Sequence, residues 1–262
     1  MEPEIYTQIK TSIKQALNID LESYKEEQMK RRLDSWLVRT RINTWKEYFS
    51  LLKNDASELE KFRNYLTINV TEFFRDPNRW ESVRTEVLPH LLKTCNQASG
   101  LKLWSAGCST GAEAYTLAIL MEEAAPHQRY SILAADLDRG ALLKARSRGP
   151  YSVEDVRNLS SAQKERHITP AAPYFANEKL QRNIRFQEQN LLEDPFEGNF
   201  DLIVCRNVVI YFTTATKDLL YAKFCKALRP GGVLFVGGTE IISGAAKFGF
   251  QNFGISFYKK ME

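Results

Sequence analysis

Apolar positions recur at helical spacing through the first third of the chain. Ile5, Ile9, Ile13, Ala16 and Leu17 form one stripe, and Met29, Leu33, Trp36 and Leu37 a second. This is the spacing of amphipathic helices. Thr44 before Trp45-Lys46-Glu47 suits an N-cap and predicts a helix to about Leu52. Asp55 or Ser57 opens another, to about Leu66. Asp76-Pro77 predicts a helix with proline at its first position, running to about Leu92. No convincing strand interrupts this stretch, and a helical bundle is expected.

After Gly100 the pattern changes. Strands are expected at 101–105, 130–135, 184–188, 201–205, 233–236 and 253–258, with helices at 111–123, 140–148 and 213–228. The run 201–205 (DLIVC) is continuously apolar, as in a strand buried on both faces. Strands alternating with helices predict a mostly parallel, doubly wound α/β sheet. The last strand follows no long helix, which suggests an antiparallel hairpin at one edge. Residues 149–183 carry Pro150, Pro170 and Pro173 and fit neither pattern. They predict an insertion with a small structure of its own, including a helix at 160–167.

Composition narrows the class. The chain has 262 residues, 44% of them hydrophobic, with 15 Phe, 11 Tyr and 4 Trp, enough apolar side chain for a folded core. Apolar runs such as 117–121 and 208–212 are far shorter than the ~18 residues of a membrane span. The opening MEPEIYTQIK lacks a secretory pattern, so a cytoplasmic chain is expected. Four separated cysteines and three histidines, without a C-x-x-C cluster, predict free thiols and no metal site. The net charge of +4 is too small to imply nucleic acid, but it is unevenly placed: residues 25–46 hold seven basic and three acidic side chains.

Candidate chemistry lies at the ends of the expected strands, where open α/β sheets bind ligands. Ser105-Ala106-Gly107-Cys108-Ser109-Thr110-Gly111 joins the first strand to a helix. Glycine there either serves a tight turn or lets the backbone approach a ligand. Neither a dinucleotide fingerprint nor a P-loop is present. Asp136 and Asp138 end the second strand; Asp138 suits a helix N-cap and Asp136 a ribose. Asn190-Leu191 follows the third strand, and Arg206-Asn207 the fourth, with Tyr211 about one helical turn beyond. Leu103 and the Leu191-Leu192 pair are either core or an adenine wall. Arg75 ends N-V-T-E-F-F-R at the junction of the two patterns and is either a solvated side chain or a reach toward a carboxylate.

The segments N-V-T-E-F-F-R, W-S-A-G-C-S-T-G-A-E-A-Y-T, A-A-D-L-D, Q-N-L-L, C-R-N-V-V-I-Y-F and F-V-G-G-T-E, in this order, resemble the CheR-type chemotaxis receptor glutamate methyltransferases. That family uses S-adenosyl-L-methionine to methylate glutamates on the cytoplasmic helices of bacterial chemoreceptors. The resemblance implies a helical receptor-docking domain over 1–74 and a Rossmann-like class I methyltransferase domain over 75–262, with the insertion at 149–183. It implies cofactor contacts by Asn69, Thr71, Arg75, Gly107, Glu113, Asp136, Asn190, Leu191, Arg206 and Asn207. Arg75 would reach the methionine end of the cofactor, and Tyr211 would face the methyl group and the incoming glutamate. Where the family usually has G-E-E-P-Y, this chain has Gly111-Ala112-Glu113-Ala114-Tyr115, keeping the second acid. Arg166-His167-Ile168 stands where R-Y-F often precedes a small β-subdomain.

On this reading S-adenosyl-L-homocysteine is the product. Lys30, Arg31, Arg32 and Arg39 are expected to dock acidic receptor helices. A monomer is expected, with neither nucleic acid nor inserted membrane as partner. Two competing readings are a nucleic-acid methyltransferase, which often has an Asn-Pro-Pro-Tyr turn where this chain has Arg-Asn-Val-Val, and a non-catalytic S-adenosylmethionine-binding adaptor.

Overall fold

Local capping and apolar stripes shape the first third of the chain into four helices, α1 (Pro3–Leu17), α2 (Glu26–Thr40), α3 (Trp45–Leu52) and α4 (Ala56–Thr67). The computed structural model describes every residue except Met1, Ile68 and 96–98. Asn18 and Arg41 end α1 and α2 in the left-handed region. The Thr44 hydroxyl accepts from Glu47 N at 3.2 Å, and the Asp55 carboxylate accepts from Glu58 N at 3.0 Å, so both expected caps form.

The chain divides into two compact units, Met1–Asn69 with Ile210–Lys217, and Val70–Val209 with Asp218–Glu262. The first unit buries Ile9, Ile13, Leu33, Tyr48 and Phe62 at its centre. The Trp36 indole donates to the Tyr48 hydroxyl at 2.6 Å, and that hydroxyl donates to Glu58 at 3.1 Å, so these two polar groups are satisfied. Residues 210–217 join this unit through their backbone: Lys25 N donates to Tyr211 O at 2.9 Å and Thr213 N to Ser23 O at 3.0 Å. The Phe212 ring lies edge-on to Tyr24.

In the second unit, β1 (Leu101–Ala106), β2 (Tyr130–Asp136), β3 (Ile184–Glu188), β4 (Phe200–Cys205), β5 (Leu228–Val236), β6 (Phe250–Gly254) and β7 (Phe257–Lys260) form one sheet of order β3-β2-β1-β4-β5-β7-β6. The first five are parallel, and β7 and β6 add antiparallel strands at one edge. The order reverses between β1 and β4, which places a crevice at their carboxyl ends. β4 is buried along its whole length, as its apolar run requires. The helix expected from 76 to 92 is built as α5 (Pro77–Ser82), a π turn (Val83–Val87) and α6 (Leu88–Thr94). The widened turn lies just before Pro89, which has no N–H for the helical ladder. The remaining helices are α7 (Ala112–Ala124), α8 (Arg139–Arg146), α9 (Ser161–His167), α10 (Glu178–Gln181) and α11 (Thr214–Ala227).

Two strand boundaries differ from expectation. The apolar stretch 253–258 is two strands rather than one, because the chain reverses at Ile255-Ser256, with Ser256 at φ +74°. β5 also begins at Leu228 and runs through the expected Pro-Gly-Gly turn. The insertion contains α9, closed by a capping box from Ser160 and Gln163, and the isolated bridges Tyr151↔Tyr174 and Ile168↔Ala176. It also braces the loop before α5. Asp155 O accepts from Phe73 N at 2.9 Å, and the Asn158 amide donates to the Phe73 and Phe74 carbonyls at 3.3 and 3.4 Å.

Candidate active site

The carboxyl ends of β1, β2 and β4 bring most of the expected residues together. β1 leads into a turn where Gly107 N and Cys108 N both donate to Ala135 O, at 2.8 and 2.9 Å. Gly107 has φ +91°, and a Cβ there would lie 2.5 Å from the Val208 side chain. Only glycine fits this turn without displacing the β4 loop. Asp136, at the end of β2, accepts from Ser109 N at 2.7 Å and from Asp138 N at 2.9 Å, one bond per carboxylate oxygen. Each oxygen keeps acceptor capacity for a further donor such as a ribose hydroxyl. Asp138 accepts from Ala141 N at 2.9 Å and is the N-cap of α8.

Glu113 stands on the first turn of α7 and accepts from the Ser105 hydroxyl at 2.6 Å. Its other oxygen lies 4.0 Å from Arg206, whose guanidinium also pairs with Asp76. Arg206 is 6% exposed and lies over the rings of Phe235 and Trp80, at 4.8 and 5.7 Å. Asn207 follows in the left-handed conformation, φ +58°. Its backbone N–H donates to Glu240 at 2.8 Å. Arg75, Asp76, Arg79, Asn207, Gly238 and Thr239 are among the residues around a cavity of about 390 Å³. Arg75 itself donates to Val70 O at 3.0 Å. The loop carrying it is fixed by Phe74, at φ +47°, whose N–H donates to the Thr116 hydroxyl at 3.0 Å.

Burial governs the electrostatics. It pushes the Glu113 carboxyl up to about 7 against the pull of Arg206, Ser105 and Arg75. It pushes Asp136 up to about 6 against the backbone N–H groups of Asp138 and Ser109. Arg206 is lowered by burial, opposed by Glu113 and Asp76. The Cys108 thiol is raised, first by burial and then by Asp136 and Glu113, so it is a poor nucleophile.

Asn190 closes its own turn, its side chain accepting from Leu192 N at 3.0 Å, and Leu191 is buried. Thr71 is half-buried in the second unit. Asn69 and Tyr211 belong to the first unit. Leu103 lies in the core cluster of the second unit. Of the basic side chains on α2, Lys30 pairs with Glu26 at 2.6 Å and Arg31 donates to the Glu27 carbonyl at 3.2 Å. Arg32 stacks over Tyr65 and donates to its carbonyl, and Arg39, though exposed, lies over the same ring at 5.4 Å.

Three members of the site escape a reading of the sequence. Asp76 suggests a helix cap, yet its side chain makes no cap bond and instead meets Arg206. Ser105 is hidden inside a strand, eight residues from its partner Glu113. Glu240 is visible only as the last residue of F-V-G-G-T-E, four positions beyond the end of β5.

The residues present fit a positively charged adenosyl ligand. Asn207 Oδ1 and Arg206 Nε are buried without a hydrogen-bond partner among the described residues. The Gly107 turn leaves no side chain of its own in the way, and Asp136 supplies acceptors at the end of β2. Among the described residues no cluster of His, Cys, Asp and Glu has the arrangement of a metal site, and no helix is long and apolar enough to cross a membrane.

Comparison with known proteins finds similarity to two family models, to curated relatives and to solved structures. Residues 69–258 match the family model "CheR methyltransferase, SAM binding domain", and residues 4–67 match "CheR methyltransferase, all-alpha domain". A chemotaxis protein methyltransferase from Listeria monocytogenes is 43% identical over 251 residues, covering 95% of this chain and 94% of its own. One from Listeria innocua is 42% identical over 249 residues, with the same coverage of 95% and 94%. A solved TehB-like SAM-dependent methyltransferase from Corynebacterium glutamicum aligns at a TM-score of 0.38 and 17% identity, covering 70% of this chain and 92% of that one.

Proposed function

The chain belongs to the CheR methyltransferase family, and from that premise we propose that it transfers a methyl group from S-adenosylmethionine to glutamate side chains on the cytoplasmic helices of chemotaxis receptors. The observation that carries the reading is the constellation of Asp136, Glu113, Arg206 and Asn207 at the carboxyl ends of β1, β2 and β4 in a SAM-binding domain.

When bound, S-adenosylmethionine supplies an electrophilic methyl group on a positively charged sulfur, and a carboxylate that takes it becomes a methyl ester. Asp136 accepts the ribose hydroxyls, while the Gly107 turn lets the backbone come close. Arg75 and Arg206 receive the ligand's carboxylate, and Glu113 balances its positive charge. Asn69, Thr71, Asn190 and Leu191 complete the binding set.

A glutamate acceptor has a pKa of ~4.3 and is ionised at neutral pH. It needs no general base, and the protein's work is alignment and exclusion of water. Positioning of reacting groups alone supplies roughly 7–11 kcal/mol in favourable cases. A strong cationic clamp on the acceptor would weaken it as a nucleophile. Tyr211, a neutral donor, therefore takes the role of orienting the incoming carboxylate. The basic side chains of α2 draw an acidic receptor helix toward the enzyme, working on the cytoplasmic side of the membrane.

Incubation with methyl-labelled S-adenosylmethionine and a receptor cytoplasmic fragment, tRNA or DNA tests the proposal. Base-labile label on the receptor alone is expected, because methyl esters hydrolyse in base. Label on nucleic acid, or binding without transfer to any of the three, overturns it.

A further inference from the structure

Beyond the end of the β4–β5 ladder, two backbone amides converge on one side chain. Asn207 N and Gly237 N donate to the same oxygen of Glu240, at 2.8 and 2.6 Å. The ladder itself ends at the pair Cys205↔Val236, so this carboxylate continues it where the two chains diverge. Glu240 is 4% exposed, and its own N–H donates to Gly237 O at 2.9 Å, which fixes the tight turn 237–240. Position 237 has no room for a larger residue: a Cβ there would lie 2.5 Å from the Glu240 carboxylate and 3.0 Å from Asn207 N. The two segments held in this way, Asn207 on one side and Gly238-Thr239 on the other, both line the cavity that also contains Arg75 and Arg79.

We infer that Glu240 is a positioning residue for the methyl-transfer site: its buried carboxylate clamps the ends of β4 and β5 and holds Asn207 in the left-handed turn that sets its place in the cavity wall. This rests on the proposed function only for what the site binds. Charged acceptors make short, strong bonds to N–H groups, and an amide carbonyl preserves their geometry without the charge. Removing the side chain strands two donors and frees a non-glycine residue from a conformation it ordinarily avoids.

Titration calorimetry with S-adenosylhomocysteine, on variants confirmed as folded by circular dichroism, tests the clamp. Glu240→Ala is expected to raise Kd about tenfold or more, and Glu240→Gln to stay within about threefold of the parent. In an Asn207→Gly background the further effect of Glu240→Ala is expected to shrink to less than about threefold, because the residue acts through Asn207. Equal affinity of Glu240→Ala and parent, or full additivity of the two changes, overturns the inference. If Glu240→Ala does not fold, Gly237→Ala disturbs the same clamp and is expected to give the same loss.

Amide exchange of the ligand-free parent protein reads the clamp without any variant. Slow exchange at Asn207 and Gly237 is expected, and exchange at the rate of an open loop overturns the inference. A parent protein that binds no S-adenosylhomocysteine counts against the proposed function, while the exchange result still decides the clamp.

Discussion

The Asp136 carboxylate accepts the backbone N–H of Ser109 at 2.7 Å, so the acid that ends β2 also closes the turn that ends β1. One side chain therefore shapes the backbone around the ligand and offers acceptors to it. Asp136→Asn keeps one acceptor oxygen and Asp136→Ala keeps none. Calorimetry is expected to show about a tenfold loss of S-adenosylhomocysteine affinity for the first, near 1.4 kcal/mol, and a larger loss for the second. Parent-like affinity in the alanine variant would remove Asp136 from the site.

Gly107→Ala is expected to fail for a steric reason. Its Cβ would meet Val208 at 2.5 Å in a backbone at φ +91°. Lower thermal stability and weaker S-adenosylhomocysteine binding should appear together, whereas Gly198→Ala, with open space around it, should leave both unchanged.

The two buried acids give stability a pH dependence of definite sign. Glu113 is raised to about 7 and Asp136 to about 6, in both cases first by burial. A group protonated more readily in the folded state stabilises it most below its unfolded pKa, and that contribution is lost as pH rises through the folded value. The contribution of these two acids to the stability of the ligand-free protein should therefore decline from about pH 4 to about pH 7, with a slope of at most about 1.4 kcal/mol per pH unit for each proton, read as the difference in melting temperature between parent and variant across pH. Glu113→Gln should flatten the upper part of this window. A parent curve that rises there, with the variant unchanged, contradicts the assignment.

Tyr211→Phe removes one hydroxyl while keeping the ring. Turnover at saturating S-adenosylmethionine is expected to fall by about tenfold or more, with binding of that ligand nearly unchanged. Unchanged turnover discards the orienting role.

Charge reversal on α2 tests receptor docking. Lys30, Arg31 and Arg39 are the targets; Arg32 is left in place because, besides lying over the Tyr65 ring as Arg39 also does, it donates to the Tyr65 carbonyl and ties α2 to α4. The triple change to Glu should raise the receptor KM several-fold at low salt, less so at high salt, and spare S-adenosylmethionine binding. Equal KM values at low salt would leave the basic stretch as a solvated face.

The sequence revealed what depends on short-range pattern. Thr44 announced its helix, and Asp55 or Ser57 the next, because an N-cap is a local competition for a few amides; the bond to Glu58 N decides for Asp55. The apolar run before Cys205 announced a strand covered on both faces. Asp136 and Asp138 could be told apart because one ends a strand and the other starts a helix. Asp76–Arg206 and Asn207–Glu240 were hidden because their partners are far apart in the chain, and Ser105–Glu113 because it depends on how the turn between β1 and α7 folds back. The reversal at Ile255-Ser256 was hidden for the opposite reason: apolar neighbours masked a turn carried by one left-handed serine.

The bonds from Asp155 and Asn158 to the main chain at Phe73 and Phe74 link the evolution of two distant stretches. An ancestor free to lengthen or trim the insertion could do so only around this anchor, because losing it would loosen the strap that carries Arg75. Homologous chains laid side by side should keep an amide-bearing side chain at position 158, the one side chain in this anchor, whichever residues stand at 73 and 74.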